Sequence, residues 1–135
     1  MNILNAAVYN KLQGTSAITS QLSGTTAIYS VQAPDNASLP YIVYSIQGGG
    51  DENLDRHRTK NTVYFIRAYS QVSLVQAGSI DAAVDTALHL QTISPSGWSN
   101  FWTAREEDLT AVENLESGEK IWMSGGLYRV RIEDT

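Results

Sequence analysis

Cysteine is absent from this chain of 135 residues, which removes disulfides, thiolate metal sites, iron–sulfur ligation and cysteine nucleophiles together. Histidine is scarce: His57 and His89 are the only two, too few for a histidine-rich metal centre. Charge is sparse as well, at 17% of residues against roughly 25% in an average soluble domain. With 42% hydrophobic residues, this excludes disorder, because disordered chains are charge-rich and apolar-poor. Basic residues number 9 against 14 acidic ones, for a net charge of −5. That balance opposes a sequence-independent nucleic-acid binder, which needs a broad basic surface. Long apolar runs are missing too: none approaches the roughly 18 residues of a membrane span. The opening MNILNAAVYNKLQG has no basic flank before its apolar stretch, so no signal peptide is expected. Asn36-Ala37-Ser38 fits a glycosylation sequon, read here as chance because no secretion signal accompanies it.

What remains is enough for a single domain over residues 1–135, since a chain of this length buries roughly 68% of its extendable surface. Ile3, Leu4, Ala7, Val8 and Leu12 recur at helical spacing, which predicts a helix over 2–13 ended by Gly14. A second helix is expected over 16–23, capped by Thr15 or Ser16. Residues 28–31 read as a short strand, and the segment 32–39, with Pro34, Asp35, Asn36 and Ser38, as a turn region. Residues 40–47 and 62–69 are rich in β-branched and aromatic side chains and predict two strands. Both are apolar on two faces, as in a sheet interior or at a contact between subunits. Between them lies GGGDENLDRHRTKN, residues 48–61. It is read as a long charged hairpin loop hinged by its glycines, well beyond the usual roughly 2–5 residues of a hairpin turn.

The clearest helix is expected over 71–90, where Ala77, Ile80, Ala83, Val84, Ala87 and Leu88 share a face. Residues 98–105 predict a strand with Trp98, Asn100 and Trp102 on one side and Phe101 on the other. The segment 106–119 holds six acidic residues and no basic one, and Glu106, Glu107 and Asp108 within it are read as a solvated turn. Residues 121–133 predict a long strand with a bulge at Gly125-Gly126 and a basic outer face at Arg129 and Arg131. The order of elements gives an α+β class: an antiparallel sheet with helices packed on one face and a long β-hairpin loop.

Catalytic signatures are missing. There is no GxSxG elbow and no HExxH pair, and Gly48-Gly49-Gly50 lacks the Lys-Ser/Thr of a phosphate loop. His57, between Arg56 and Arg58, is a poor general base because its cationic neighbours disfavour its protonation. His89 suits the end of a helix. Glu106, Glu107 and Asp108 lack the spacing of a hard-cation loop. Trp98, Phe101 and Trp102 fit core or protein-interface packing better than a stacking site for sugars or bases. Arg129 and Arg131 fit a solvated strand face, an intersubunit ion pair, or the lining of a passage for nucleic acid. No enzyme, cofactor or metal is expected.

The whole pattern resembles the small tail-terminator, tail-completion and head–tail joining proteins of long-tailed bacteriophages. The likeness rests on the short N-terminal helix and on the proline-led strand Leu39-Pro40-Tyr41-Ile42-Val43-Tyr44. It continues through Val63-Tyr64-Phe65-Ile66-Arg67-Ala68-Tyr69 and a helix ending Val84-Asp85-Thr86-Ala87-Leu88, and closes with an acidic segment, Trp122 and the strand 127–133. The resemblance implies a structural virion protein that assembles as a homo-oligomeric, usually hexameric, ring on the tail tube. Such a ring ends tube polymerisation and meets the head connector, with DNA passing through its lumen unbound and no membrane involved. It implies a place at the head–tail interface of the virion, after assembly in the host cytoplasm. The other reading left open is a different small neck or adaptor module without catalytic activity. The residues expected at the assembly contacts are Asp51, Glu52, Leu54, Asp55, Arg56, Arg58 and Lys60 of the loop, with Leu54 as an apolar anchor. Arg129 and Arg131 are expected to meet acidic residues of 106–119 on the next subunit.

Overall fold

A computed structural model describes residues 2–53 and 58–135. Helix α1 (Asn2–Gln13) buries Leu4, Ala7, Val8 and Leu12 of the expected apolar set, while Ile3 stays exposed. The next helix, α2 (Ser16–Thr19), stops earlier than expected. Tertiary bonds take over there: the Ser23 backbone N–H donates to the Pro40 carbonyl at 3.0 Å and its hydroxyl to the Ser38 carbonyl at 2.7 Å. Thr15 occupies the cap position without capping, because its hydroxyl donates to the Lys11 carbonyl at 2.7 Å.

The strands are β1 (Ile28–Ser30), β2 (Tyr41–Glu52), β3 (Thr59–Ser70), β4 (Trp98–Asn114) and β5 (Lys120–Asp134), with helix α3 (Leu74–Leu88) between β3 and β4. They form one five-stranded sheet in the order β1-β2-β3-β5-β4. Strand β1 runs parallel to β2 and every other pair is antiparallel. Helix α3 starts after Ser73, whose hydroxyl accepts from the Gln76 N–H at 3.1 Å, so the helix begins later than the spacing of apolar residues alone predicted.

One face of the sheet is covered. Leu4, Val8 and Leu12 of α1 and Ile80, Val84 and Leu88 of α3 pack with Ile42, Tyr44, Tyr64, Ile66, Ala68, Tyr128, Val130 and Ile132 from the strands. Tyr64 and Tyr128 are fully buried, and each phenol finds a partner, as buried hydroxyls must. Tyr64 donates to Asn5 Oδ1 at 2.6 Å and ties α1 to β3. Burial raises the pKa of both phenols.

Three local expectations change. Segment 48–61 is mostly ladder: Gly48 pairs with Val63, Gly49 with Thr62, Gly50 with Asn61, Asp51 with Lys60 and Glu52 with Thr59. The glycines are therefore strand residues and not a hinge. Gly49 sits at φ +115°, and a Cβ there would lie 2.1 Å from the Asn61 carbonyl oxygen. Leu54, Asp55, Arg56 and His57 lie outside the described residues. Segment 106–119 is mostly strand too, because β5 offers a full-length partner; only 115–119 turns, with Gly118 at φ +86°. The bulge expected at Gly125-Gly126 lies instead across the ladder, where Phe101 and Glu106 are the extra residues of β4. The bulge at Phe101 breaks the expected alternation and leaves both Phe101 and Trp102 exposed.

Candidate assembly surface

Directly opposed residues of an antiparallel pair share a face. The face away from the helices therefore carries Tyr41, Val43 and Ser45 of β2, and Asn61, Val63, Phe65, Arg67 and Tyr69 of β3. From β5 come Met123, Leu127, Arg129 and Arg131. Among the described residues, no helix covers this face.

At one end of the sheet the face is charged. Arg131 makes a bidentate pair with Glu52, Nε to Oε1 at 3.1 Å and Nη2 to Oε2 at 3.0 Å. Its guanidinium lies 5.1 Å from the Phe101 ring centroid. Arg129 donates from Nε to both oxygens of Glu106, at 3.0 and 2.9 Å, and from Nη1 to Asn61 at 2.7 Å. On the opposite face of the same end, Asp51 accepts from Arg58 at 2.9 Å and Lys60 at 2.7 Å. Those two hydrogen-bonded cations hold the Asp51 carboxyl down to about 2. The described residues that the sequence nominated for assembly thus gather at one end. Their opposite charges meet within the chain, which sequence spacing did not reveal.

The other end is aromatic. Tyr41 packs between Tyr29, at 5.7 Å between ring centroids, and Tyr69, at 5.4 Å. Arg67 donates to the Tyr69 hydroxyl at 2.9 Å, to Ser45 Oγ at 3.1 Å and to the Val31 carbonyl at 3.4 Å, and stacks 4.5 Å over Phe65. The sequence held the signal for this end: Arg67 interrupts an otherwise apolar strand face.

The helix side also holds a polar cluster centred on Arg105. All five N–H groups of Arg105 have partners. Nη1 donates to Asp81 Oδ1 at 2.7 Å and to the Tyr128 hydroxyl at 2.9 Å. Nη2 donates to Asp81 Oδ2 at 2.8 Å and the Gly125 carbonyl at 3.0 Å, and Nε to Asp108 at 2.5 Å. Ser124 donates to the same Asp81 at 2.9 Å. With no donor left over, the cluster is a tie between α3, β4 and β5. His89 Nδ1 accepts from the Arg105 backbone N–H at 3.0 Å, which places the proton of a neutral ring on Nε2. Among the described residues no cluster of three or more His, Asp or Glu is placed to hold a metal, and no helix is long and apolar enough to cross a membrane.

The sequence pattern of the family described as Tail completion protein gp17 matches residues 6–118. The chain belongs to that family. It is accordingly a structural protein of a phage tail. No curated protein sequence matches it. Its fold is similar to that of a chain in a structure titled "Virion of native gene transfer agent (GTA) particle", with a TM-score of 0.79 and 18% identity over 96% of this chain and 94% of that one. A second solved structure gives a TM-score of 0.57 at 13% identity, over 96% of this chain and 94% of the other. The matched span of this tail completion protein runs from α1 to the β4–β5 turn, so Arg129 and Arg131 lie beyond it on β5.

Proposed function

We propose that this tail completion protein caps the tail tube as a hexameric ring of identical subunits, ends tube polymerisation and joins the tail to the head connector. The observation that carries the reading is the uncovered sheet face, with tyrosines and Arg67 at one end and ion-paired arginines at the other. A family of tail structural proteins offers a use for such a face, since aromatic residues and arginine are enriched where proteins meet. A ring built by head-to-tail contacts apposes two different surfaces of the subunit. Asp51, Glu52, Arg58, Lys60, Arg129 and Arg131 form one of these surfaces, with Leu54, Asp55 and Arg56, which lie outside the described residues, assigned to it from the sequence alone. DNA passes through the lumen unbound, because phosphate contacts drive non-specific binding and the chain carries a net charge of −5. Mixing the purified protein with tail-tube subunits and imaging by negative-stain microscopy tests the reading. Rings on tube ends and tubes of limited length are expected. Bare tubes that keep growing in the presence of excess protein would overturn it.

A further inference from the structure

Each side of the sheet ends on a stretch of strand that no described residue pairs. On one side, β1 covers β2 only at Ile42, Val43 and Tyr44. The Val31 N–H still donates to the Tyr44 carbonyl at 2.9 Å, and Val31, at φ +68°, then turns the chain off the edge. A β-branched residue is strained in that left-handed region, so leaving the edge there has a cost. Among the described residues, no backbone hydrogen bond reaches the outer edge of β2 over residues 45–52. On the other side β4 is the last strand. The segment after α3 covers part of its edge: the Leu90 N–H donates to the Thr103 carbonyl at 2.7 Å, and His89 Nδ1 accepts from the Arg105 N–H at 3.0 Å. Beyond Arg105, no described residue bonds to the outer edge of β4.

An open edge is a row of unpaired N–H and C=O groups, and an extended backbone completes it. Proteins usually guard such edges with charge or proline. Residues 45–50 of β2, Ser-Ile-Gln-Gly-Gly-Gly, carry neither. Gln47 bulges, yet pairing with β3 resumes at Gly48. A Cβ on Gly48 or Gly50 would meet nothing within 4 Å. Packing within the chain therefore does not ask for glycine at these two positions, and both leave the edge unshielded. Each edge also exposes an apolar side chain on the helix side, Ile46 at 39% on β2 and Val112 at 51% on β4.

We infer that the outer edge of β2 over 48–52 pairs antiparallel with the outer edge of β4 over 107–113 of a second copy, so that one sheet runs on from subunit to subunit. Strand direction supports this occupant. Neighbours in the order β2-β3-β5-β4 are all antiparallel, so β4 runs opposite to β2. A second copy set edge to edge, helices on the same side, thus presents its β2 antiparallel to β4. The two edges differ, so the contact is head-to-tail and repeats. The free segments also lie at opposite ends of the sheet: Gly50 is level with Asn61, and Ala111, through Met123, with Tyr69. Each copy is therefore staggered along the strands, the offset with which sheets of tilted strands close. Backbone pairing and not charge selects the contact. Asp51, Glu52, Glu106 and Asp108 already have a cation within their own chain. The assignment rests on the self-assembly proposed above and names a contact it uses.

Because the chain has no cysteine, engineered thiols report this contact without background. Gly50 and Ala111 lie on opposite edges and opposite ends of the sheet, so a disulfide between these positions joins two chains. A full-length G50C chain is mixed with E107C, L109C, T110C, A111C, V112C or E113C chains in the presence of tail-tube subunits, and oxidised. Gly50 shares the uncovered face with positions 107, 109, 111 and 113, whereas 110 and 112 lie on the helix side. Heterodimer yield is expected to alternate with a period of two, high on the first set and low on the second, with one maximum that fixes the register. An N10C and A111C pair serves as the control. Adding I46D to the G50C chain, or V112D to its partner, should bring the maximum down towards the control. Both substitutions sit on exposed residues, and an unchanged unfolding transition for each variant confirms that the loss reads the contact. Yields equal to the control, a profile without alternation, or a maximum indifferent to both substitutions overturns the inference. The two readings fail separately. Alternating cross-links without rings on tube ends reject the ring and keep the contact. Rings on tube ends with a flat cross-link profile reject the contact and keep the ring.

Discussion

Gly125 and Gly126 sit side by side on β5 and each makes room for an arginine, one on either face of the sheet. A Cβ on Gly125 would lie 2.7 Å from Arg67 Cβ and 2.5 Å from the Ile66 carbonyl; one on Gly126 would lie 2.6 Å from Arg105 Cζ. The Arg105 guanidinium cannot swing aside without giving up its bidentate bond to Asp81, in which the two side chains are 13% and 10% exposed. Removing one partner of such a pair strands the other charge. Asp81→Ala is therefore expected to cost about 3–5 kcal/mol in urea denaturation; a loss under about 0.5 kcal/mol, the range of surface changes, would place the pair in solvent. Asp51 makes a different prediction, about pH. Its carboxyl is lowered from 3.8 to about 2, first by the hydrogen bonds from Arg58 and Lys60. A group whose folded pKa is depressed contributes stability above its unfolded value, and that contribution is lost as pH falls through the folded one. The Asp51 carboxyl resonance should hence titrate near 2 by NMR and move up in R58A. A normal carboxylate midpoint in the unsubstituted protein would show that the ion cluster does not form in solution.

At the scale of elements, α3 is the clearest case of sequence and packing agreeing. Ile80, Val84 and Leu88 face the sheet, and Leu88 is 2% exposed. Leu88→Ala is expected to cost about 2–5 kcal/mol, the transfer loss plus the cavity, as measured by thermal or chemical unfolding. The β2–β3 hairpin carries the opposite lesson. Its glycine-rich, mixed-charge arm reads as a loose loop, yet it is a ladder held by Asp51–Lys60 and by Glu52–Arg131 across to β5. Replacing 49–60 with a short turn should lower the melting temperature, because strand pairs and three ion pairs go with it. An unchanged melting temperature would mean the arm adds nothing to the folded state.

At the scale of the whole molecule, the sheet is an open layer with helices on one face only. Polar groups are interspersed on the bare face, and under the proposed function assembly uses that same face. Reversing both arginines, R129E/R131E, removes the pairs to Glu106 and Glu52 and places like charges together. Ring formation on tube ends should drop, most at low ionic strength, where surface charges are least screened. Normal capping by this variant at low salt would remove the charged end from the subunit contact.

By itself the sequence determined the class, the absence of cysteine chemistry, the two amphipathic helices, the central strands and the family likeness. The first four follow from composition or from local patterns of apolar residues; the likeness is a resemblance carried by the order of elements and by particular segments such as Leu39–Tyr44 and Val63–Tyr69. Only the tertiary structure decided where strands β2 and β4 end, since a partner strand and not propensity extends them through the glycines and the acidic run. It also decided which charges meet. Glu52 and Arg131 are far apart in the chain and make their bidentate pair across the sheet, so no spacing rule could join them. Asp51, Glu52, Arg58, Lys60, Arg129 and Arg131 were legible as candidates because charge is rare here and they cluster. Arg67 was legible only as an oddity in an apolar strand. Its lack of a carboxylate becomes visible once every other described arginine is seen to have one, which is a property of the packed chain and of no segment alone.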